Sequence, residues 1–341
     1  VIKAQGPPHV HIKSLVVSAK DNTFFTSGAD GRILKGDFDQ LTSAPTGFST
    51  QYPSRTIAIN PEENYIINGS DSSFLQVYNL DKERSRPELV IRGLKGSTND
   101  IDFLPDGSSF IVASSSRILY SGDHREGKIA LLATMPQEIK AISIHPGGKV
   151  LAAATWSGVI YVVNIEDRSY NKIVEEPSSR ILSLNYSPDG KLLAYGVDDM
   201  EHKRGLVKLY DFQTAQSRQF TGHKAGVTDV EFSPDGKLLA SAGSDKRLLL
   251  WLLESPEDLP IIMDDNNGFI WDIAFSKSSE YLIAACSESE VRVWPTDPAL
   301  LANQICPKLT RNMTPDEWKK YVGQGENIEY EPTCVGLLIN R

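Results

Sequence analysis

The sequence predicts an all-β chain, a seven-bladed β-propeller of four-stranded antiparallel blades with a short helical C-terminal tail, and two observations carry that prediction. One is a repeat. A strand-like run, a turn such as Ser187-Pro188-Asp189-Gly190 and a second apolar run recur, with turns beginning at Ser18, Asn60, Leu104, His145, Ser187, Ser233 and Ser276. Their intervals are 42, 44, 41, 42, 46 and 43 residues, a period that suits propeller blades or pairs of helices. The other is the order inside a unit: an alternating run (227–232), the turn, a small-residue run (238–243), a polar turn, and an apolar run ending at Trp251. Short runs bounded by Pro, Asp and Gly read as strands. Two helices do not fit around a Pro-Asp-Gly turn placed in this way. Arranged radially, such blades expose only short edges.

The sixth unit is the most regular. It runs from Gly222-His223 through Phe232-Ser233-Pro234-Asp235-Gly236 and Leu239-Ala240-Ser241-Ala242-Gly243-Ser244-Asp245 to Trp251. These residues resemble the WD-repeat (WD40) consensus. The resemblance implies an intrablade hydrogen-bond network of His223, Ser241, Asp245 and Trp251. Such a set is structural rather than catalytic, because buried polar groups persist where they satisfy one another. Elsewhere the pattern thins. Asp30 holds the turn Asp and Glu288 approximates it, while Ser72, Ser115 and Ser157 stand there in units two to four. The Trp returns as Trp294, with Gly36, Tyr78, Ser121, Val163 and Tyr210 at its place in the others. Those blades are expected to rest on apolar packing. The resemblance covers roughly residues 10 to 295.

The propeller is expected over residues 1–296 and the tail over 297–341. No outer strand follows the seventh unit, so residues 1–10 are expected to supply it and close the ring. In the tail, Thr314 before Pro315 with Glu317 three residues on forms a capping-box helix start. Trp318 and Tyr321 then share one helix face, which is expected to pack on the propeller. The run 309–318 with Tyr321, Gly323, Tyr330 and Thr333-Cys334 resembles a tail found after WD repeats in bacterial multidomain proteins, where an NTPase, caspase-like protease or other effector often precedes the repeats. The chain opens on Val1 rather than Met, which points to an excised or processed piece.

Composition removes several function classes. At 341 residues and 40% apolar content one propeller accounts for most of the chain. A net charge of −9 argues against a general nucleic-acid binder. No stretch approaches 18 apolar residues and no secretory pattern opens the chain, so a cytoplasmic location without membrane contact is expected. Three cysteines exclude a disulfide framework. Cys286 reads as a small core residue, while a bridge between Cys306 and Cys334 is an open alternative to two free thiols.

Catalytic motifs are missing: there is no phosphate loop, no His-Glu-x-x-His and no Gly-x-Ser-x-Gly. His9 and His11 have no third metal ligand in view. The insertion Asp198-Asp199-Met200-Glu201-His202-Lys203-Arg204 reads as a solvated loop, and Asp264-Asp265-Asn266-Asn267 as a turn before a strand rather than a calcium loop. Neither cofactor nor metal is expected.

A binding face is the better candidate. In the family resembled, partners dock where the inner strands start and at the turn residue before the conserved Asp. The aligned turns place there His11 and Lys13, Arg55, Asn99, Glu138 and Lys140, Arg180, Thr228, Phe269 and Trp271, with Asp71, Trp156 and Ser244 from the turns. Lys13, Arg55, Lys140, Trp156, Arg180, Phe269 and Trp271 form the partner-binding set. Basic and aromatic on an acidic chain, it calls for a protein or peptide with acidic groups and an apolar anchor. The expected function is a noncatalytic interaction or sensing module of a larger bacterial protein. The alternatives are a propeller hydrolase or lyase at the channel mouth, for which these positions offer only Glu138, Asp71 and His11, and a structural scaffold.

Overall fold

A computed structural model of the chain describes residues 2–5, 11–18, 20, 23–38, 46–50, 52–82, 86–255, 259–264, 266–288, 290–297, 300, 306–321, 332 and 334. His9, Asp265, Gly323, Tyr330, Thr333 and the side chain of Tyr321 lie outside them. The chain divides into two compact units, Val1–Val293 and Trp294–Arg341.

Seven four-stranded antiparallel sheets build the propeller. In six of them the strands follow chain order from the innermost outward. The inner strands are Ile12–Val17, Ser54–Ile59, Thr98–Phe103, Ile139–Ile144, Ser179–Tyr186 and Val227–Phe232 in blades one to six, and Ile270–Phe275 in blade seven. Each lies against the inner strand of the next blade. Blade seven continues through Tyr281–Cys286 and Glu290–Pro295 and takes its outermost strand, Ile2–Gln5, from the start of the chain. Ile2 pairs with Val293 and Gln5 with Glu290.

Packing explains why the second strand of each blade does not alternate in polarity. It is covered by neighbouring blades on both faces, so Phe110–Ser114 and Leu151–Thr155 are buried throughout. Ala152, Ala153 and Ala154 keep the blade thin where two faces approach. His124 is held in the same way, edge-on to Tyr65 and Phe103 and fully buried. Burial lowers the pKa of this imidazole, so it stays neutral.

The position of Trp251 is filled in more than one way. In blade six Trp251 pairs with Leu239 across the second and third strands. In blades one and three glycine takes that place, and Phe24 pairs with Gly36 and Phe110 with Gly122. A Cβ on either glycine would lie 2.2 Å from the Cζ of its phenylalanine. The aromatic ring has moved to the facing strand and lies over the bare backbone. This register corrects the sequence alignment of blade three: Gly122, not Ser121, stands at the Trp place, and Ser116, not Ser115, at the turn Asp place, since Arg117 N–H bonds Ser114 C=O as Lys246 N–H bonds Gly243 C=O.

The second unit is stitched locally. Glu317 N–H donates to Thr314 Oγ1 at 3.2 Å and Thr314 N–H to Glu317 Oε2 at 2.9 Å, a capping box that opens the helix Pro315–Tyr321. Arg311 holds the Glu317 carboxylate with two nitrogens, at 2.6 and 2.8 Å. Cys306 and Cys334 are bonded as a disulfide, and the Asn312 side chain clasps both backbone polar groups of Cys334. No helix among the described residues is long and apolar enough to cross a membrane.

Two outcomes are expected. Gly122→Ala forces Phe110 off its seat and costs about 1–3 kcal/mol, read as a lower denaturation midpoint, whereas Ser121→Ala at the neighbouring place leaves it nearly unchanged. Deletion of residues 1–10 bares the edge of Glu290–Pro295 and lowers the melting temperature; unaltered melting would show that the ring closes without that strand.

Candidate partner-binding site at the channel mouth

Each inner strand carries one bulge at the same place. The ladder to the second strand skips Lys13, Arg55, Asn99, Lys140, Leu182, Thr228 and Trp271 in blades one to seven. A bulge puts two residues opposite one and re-aims the extra side chain. Here all seven side chains line one cavity of about 140 Å³ at the mouth of the central channel. Three are cations and none is a carboxylate. Burial and the nearby charges of Arg55 and Lys140 lower the pKa of Lys13, and burial chiefly lowers that of Lys140, with Asp100 opposing.

Below the mouth, side chains one and three residues after the bulge reach across to the next blade. Backbone N–H groups donate to them: Ile57 to Ser14 (3.2 Å), Ile142 to Asp100 (2.8 Å), Ile144 to Asp102 (2.8 Å), Tyr186 to Ser143 (3.1 Å), Phe232 to Asn185 (3.0 Å), Ile273 to Asp229 (2.9 Å) and Leu15 to Asp272 (2.7 Å). These bonds cross six of the seven seams between blades; at the seam of blades two and three Arg55 Nη1 donates to Ser97 Oγ at 3.2 Å. Desolvation in the narrow channel raises the carboxyl groups, Asp100 to about 7, Asp102 to about 6 and Glu231 to about 8, and it raises Asp229 and Asp272 as well. The sequence reading passed over these five acids. Their signal was a fixed offset from the aligned turns.

The mapped rim residues gather around this mouth in two rows. One is the bulge row, to which Leu182 belongs in blade five; Arg180 stands two places before its bulge, in the same row as His11, Glu138 and Phe269. Arg180 stands farther out, its guanidinium 4.9 Å from the Trp156 ring, with Asp198 at 3.9 Å. Lys13 Nζ lies 3.6 Å from the centroid of Trp271, and Phe269 meets Trp271 edge-on at 6.4 Å. Both cation–aromatic pairs bridge neighbouring blades. Trp156 is 43% and Phe269 45% exposed, so neither is a filler between blades. Arg55 pairs with Asp71 at 2.7 Å, Asn99 bonds Ile139 C=O and reaches Glu138, Thr228 bonds Ile270 C=O, and Ser244 N–H bonds Gly226 C=O.

The other candidates resolve into structure. In blade six His223 Nε2 meets Ser241 Oγ at 2.9 Å, His223 Nδ1 meets Asp245 at 3.1 Å, and Trp251 Nε1 donates to Ser241 Oγ at 3.0 Å. The insertion of blade five is not a loose loop: Asp198 pairs with Gly205 and Asp199 with Arg204, extending a hairpin whose turn is 200–203. The Asp199 carboxylate is taken by His202 Nδ1 (2.9 Å) and Arg204 Nε (3.1 Å). His11 Nδ1 is 2.5 Å from Ser287 C=O. The Asn266 side-chain amide donates to Lys246 and Met263 carbonyls. Among the described residues no group of three His, Cys, Asp or Glu side chains is placed to hold a metal ion.

These seven blades, closed by chain-end pairing and stitched through the channel, define a β-propeller whose variable positions gather at one mouth. The profile of the WD domain, G-beta repeat matches residues 214–251 and 261–295, and with its seven four-stranded blades the chain is similar to WD40-repeat β-propellers. It is similar to Telomerase protein component 1 of Rattus norvegicus, 29% identical over 130 residues, 38% of this chain and 5% of that protein. It is 25% identical over 235 residues to Apoptotic protease-activating factor 1 of Rattus norvegicus, 64% of this chain and 18% of that one. With the Serine-threonine kinase receptor-associated protein of Gallus gallus it shares 27% identity over 207 residues, 58% of this chain and 54% of the relative. The chain therefore spans from a twentieth to about half of the length of these relatives.

The channel acids give stability a pH dependence. Their folded pKa values exceed the ordinary range near 4, so the folded chain holds protons that the unfolded chain releases. That contribution is complete below about pH 4 and is lost as pH rises through 6 to 8. His124, lowered on folding, acts oppositely on the acid side, so the comparison belongs above pH 6.5. Between pH 6.5 and 9 the wild type is expected to lose on the order of 3 kcal/mol. Glu231→Gln, which keeps an acceptor for Asn185 (3.1 Å), should flatten the slope; equal slopes would mean Glu231 is not desolvated.

Proposed function

We propose that this propeller is a noncatalytic protein-interaction or ligand-sensing module that binds a protein or peptide on the face around its central channel. One observation carries the reading. On a chain of net charge −9 the seven bulge positions hold Lys13, Arg55 and Lys140 and no carboxylate, with Trp–cation pairs beside them. Trp and Arg dominate binding hot spots. An acidic partner with an apolar anchor answers both features, the acid by the cations and the anchor by Trp156, Phe269 and Trp271.

The family likeness supports an interaction role, and the relative named for protease activation supports a place beside an effector. The likeness of the 309–334 segment to tails of bacterial multidomain proteins supports a larger bacterial parent. A hydrolase or lyase would need free acids. Asp100, Asp102, Asp229 and Asp272 are instead engaged by backbone N–H groups of the next blade. A pure scaffold leaves the exposure of Trp156 and Phe269 without a use.

Peptide display against the immobilised chain tests the proposal. Sequences combining Asp or Glu with an aromatic or aliphatic residue should be enriched over neutral and basic ones. Trp156→Ala with Arg180→Ala should weaken the best of them by ~2 kcal/mol or more while melting stays within a few degrees. Enrichment without charge preference, or a collapse of stability in the double variant, would defeat the reading.

A further inference from the structure

Lys13, Arg55 and Lys140 come from three different blades and meet at one cavity. Arg55 is already held by Asp71 and Ser97. Lys13 and Lys140 make no hydrogen bond or ion pair among the described residues, and Lys13 is steadied only by the Trp271 ring. The Nε1–H of Trp271, which also lines the cavity, is buried with no acceptor among the described residues. The mouth is therefore a ring of donors short of acceptors. Its cations also lower one another's basicity, so an anion between them relieves a repulsion already present.

We propose that the channel mouth is an oxyanion socket that receives one carboxylate of an acidic peptide between Lys13, Lys140 and Arg55. The proposal rests on the partner-binding reading above and names the group of the partner that enters the channel. Charge below the mouth selects a single negative charge. Asp100, Asp229 and Asp272 line the same cavity and supply only acceptor oxygens already engaged by backbone N–H groups, so the second charge of a phosphate dianion would find no cation or donor beneath the mouth. Size selects a side chain or chain end: about 140 Å³ admits a carboxylate on its stem but not a helix some 10 Å across.

The test uses the full chain and a fluorescein-labelled tetraglutamate peptide as probe, followed by fluorescence anisotropy, with acetate and inorganic phosphate as competitors. The wild type should bind with salt-sensitive affinity. Lys13→Met and Lys140→Met, which keep the stem volume, should each weaken binding at least tenfold, and Lys140→Arg should retain it. Acetate should compete at equal or lower concentration than phosphate. Wild-type affinity in both Met variants, with loss in Trp156→Ala plus Arg180→Ala, would overturn the socket and leave the rim reading standing. Indifference of the probe to all of these variants would overturn both. Stronger competition by phosphate would overturn the assignment to a carboxylate.

Discussion

The inner strand of each blade is a sheet edge, and its N–H groups that face away from the second strand must find acceptors in a channel too narrow for free hydration. The structure meets this demand sideways. Six of the seven blades offer Ser, Asp or Asn to the backbone of the next, and Asp272 closes the circuit by accepting from Leu15 of blade one. A buried donor left unmet costs about 1–3 kcal/mol, so a polar residue one or three places after the bulge serves the ring in six of its seven blades. The raised carboxyl groups follow from it: acids recruited as acceptors are desolvated by the geometry that recruits them.

The bulge separates this obligation from binding. The skipped residue has no partner in the ladder, so its side chain is free to differ from blade to blade while a residue one or three places on holds the neighbour in six of the seven blades. Lys, Arg, Asn, Lys, Leu, Thr and Trp occupy it in turn. Recognition chemistry sits one residue from the seam that holds the ring, and varying the first does not disturb the second.

Blade number, turns, the blade-six network and the ring of mouth positions were legible in the sequence because each depends on residues close together in a repeated phrase. Register was harder. In blade three, Ser114-Ser115-Ser116 gives no landmark, and only the Arg117–Ser114 turn bond shows which serine holds the Asp place. In blade five the ladder begins two residues earlier than in the other blades, and the bulge residue, Leu182, carries no charge or ring that marks it as a mouth position. The channel acids sit in runs that alternate in polarity, a pattern that names no partner for them. Their partners lie a full blade away, and no local pattern records that distance.

Phe110 with Gly122, and Phe24 with Gly36, fill from the second strand a space that Trp251 fills from the third. Neither pair can approach the other arrangement by one substitution: a larger residue at the glycine strikes the ring, and a smaller residue at the phenylalanine opens a hole. The route between the two passes through an intermediate less stable than both ends. Blades one and three, which depart from the repeat's signature at this place, thus keep the space filled by a packing that cannot be turned into the signature one residue at a time.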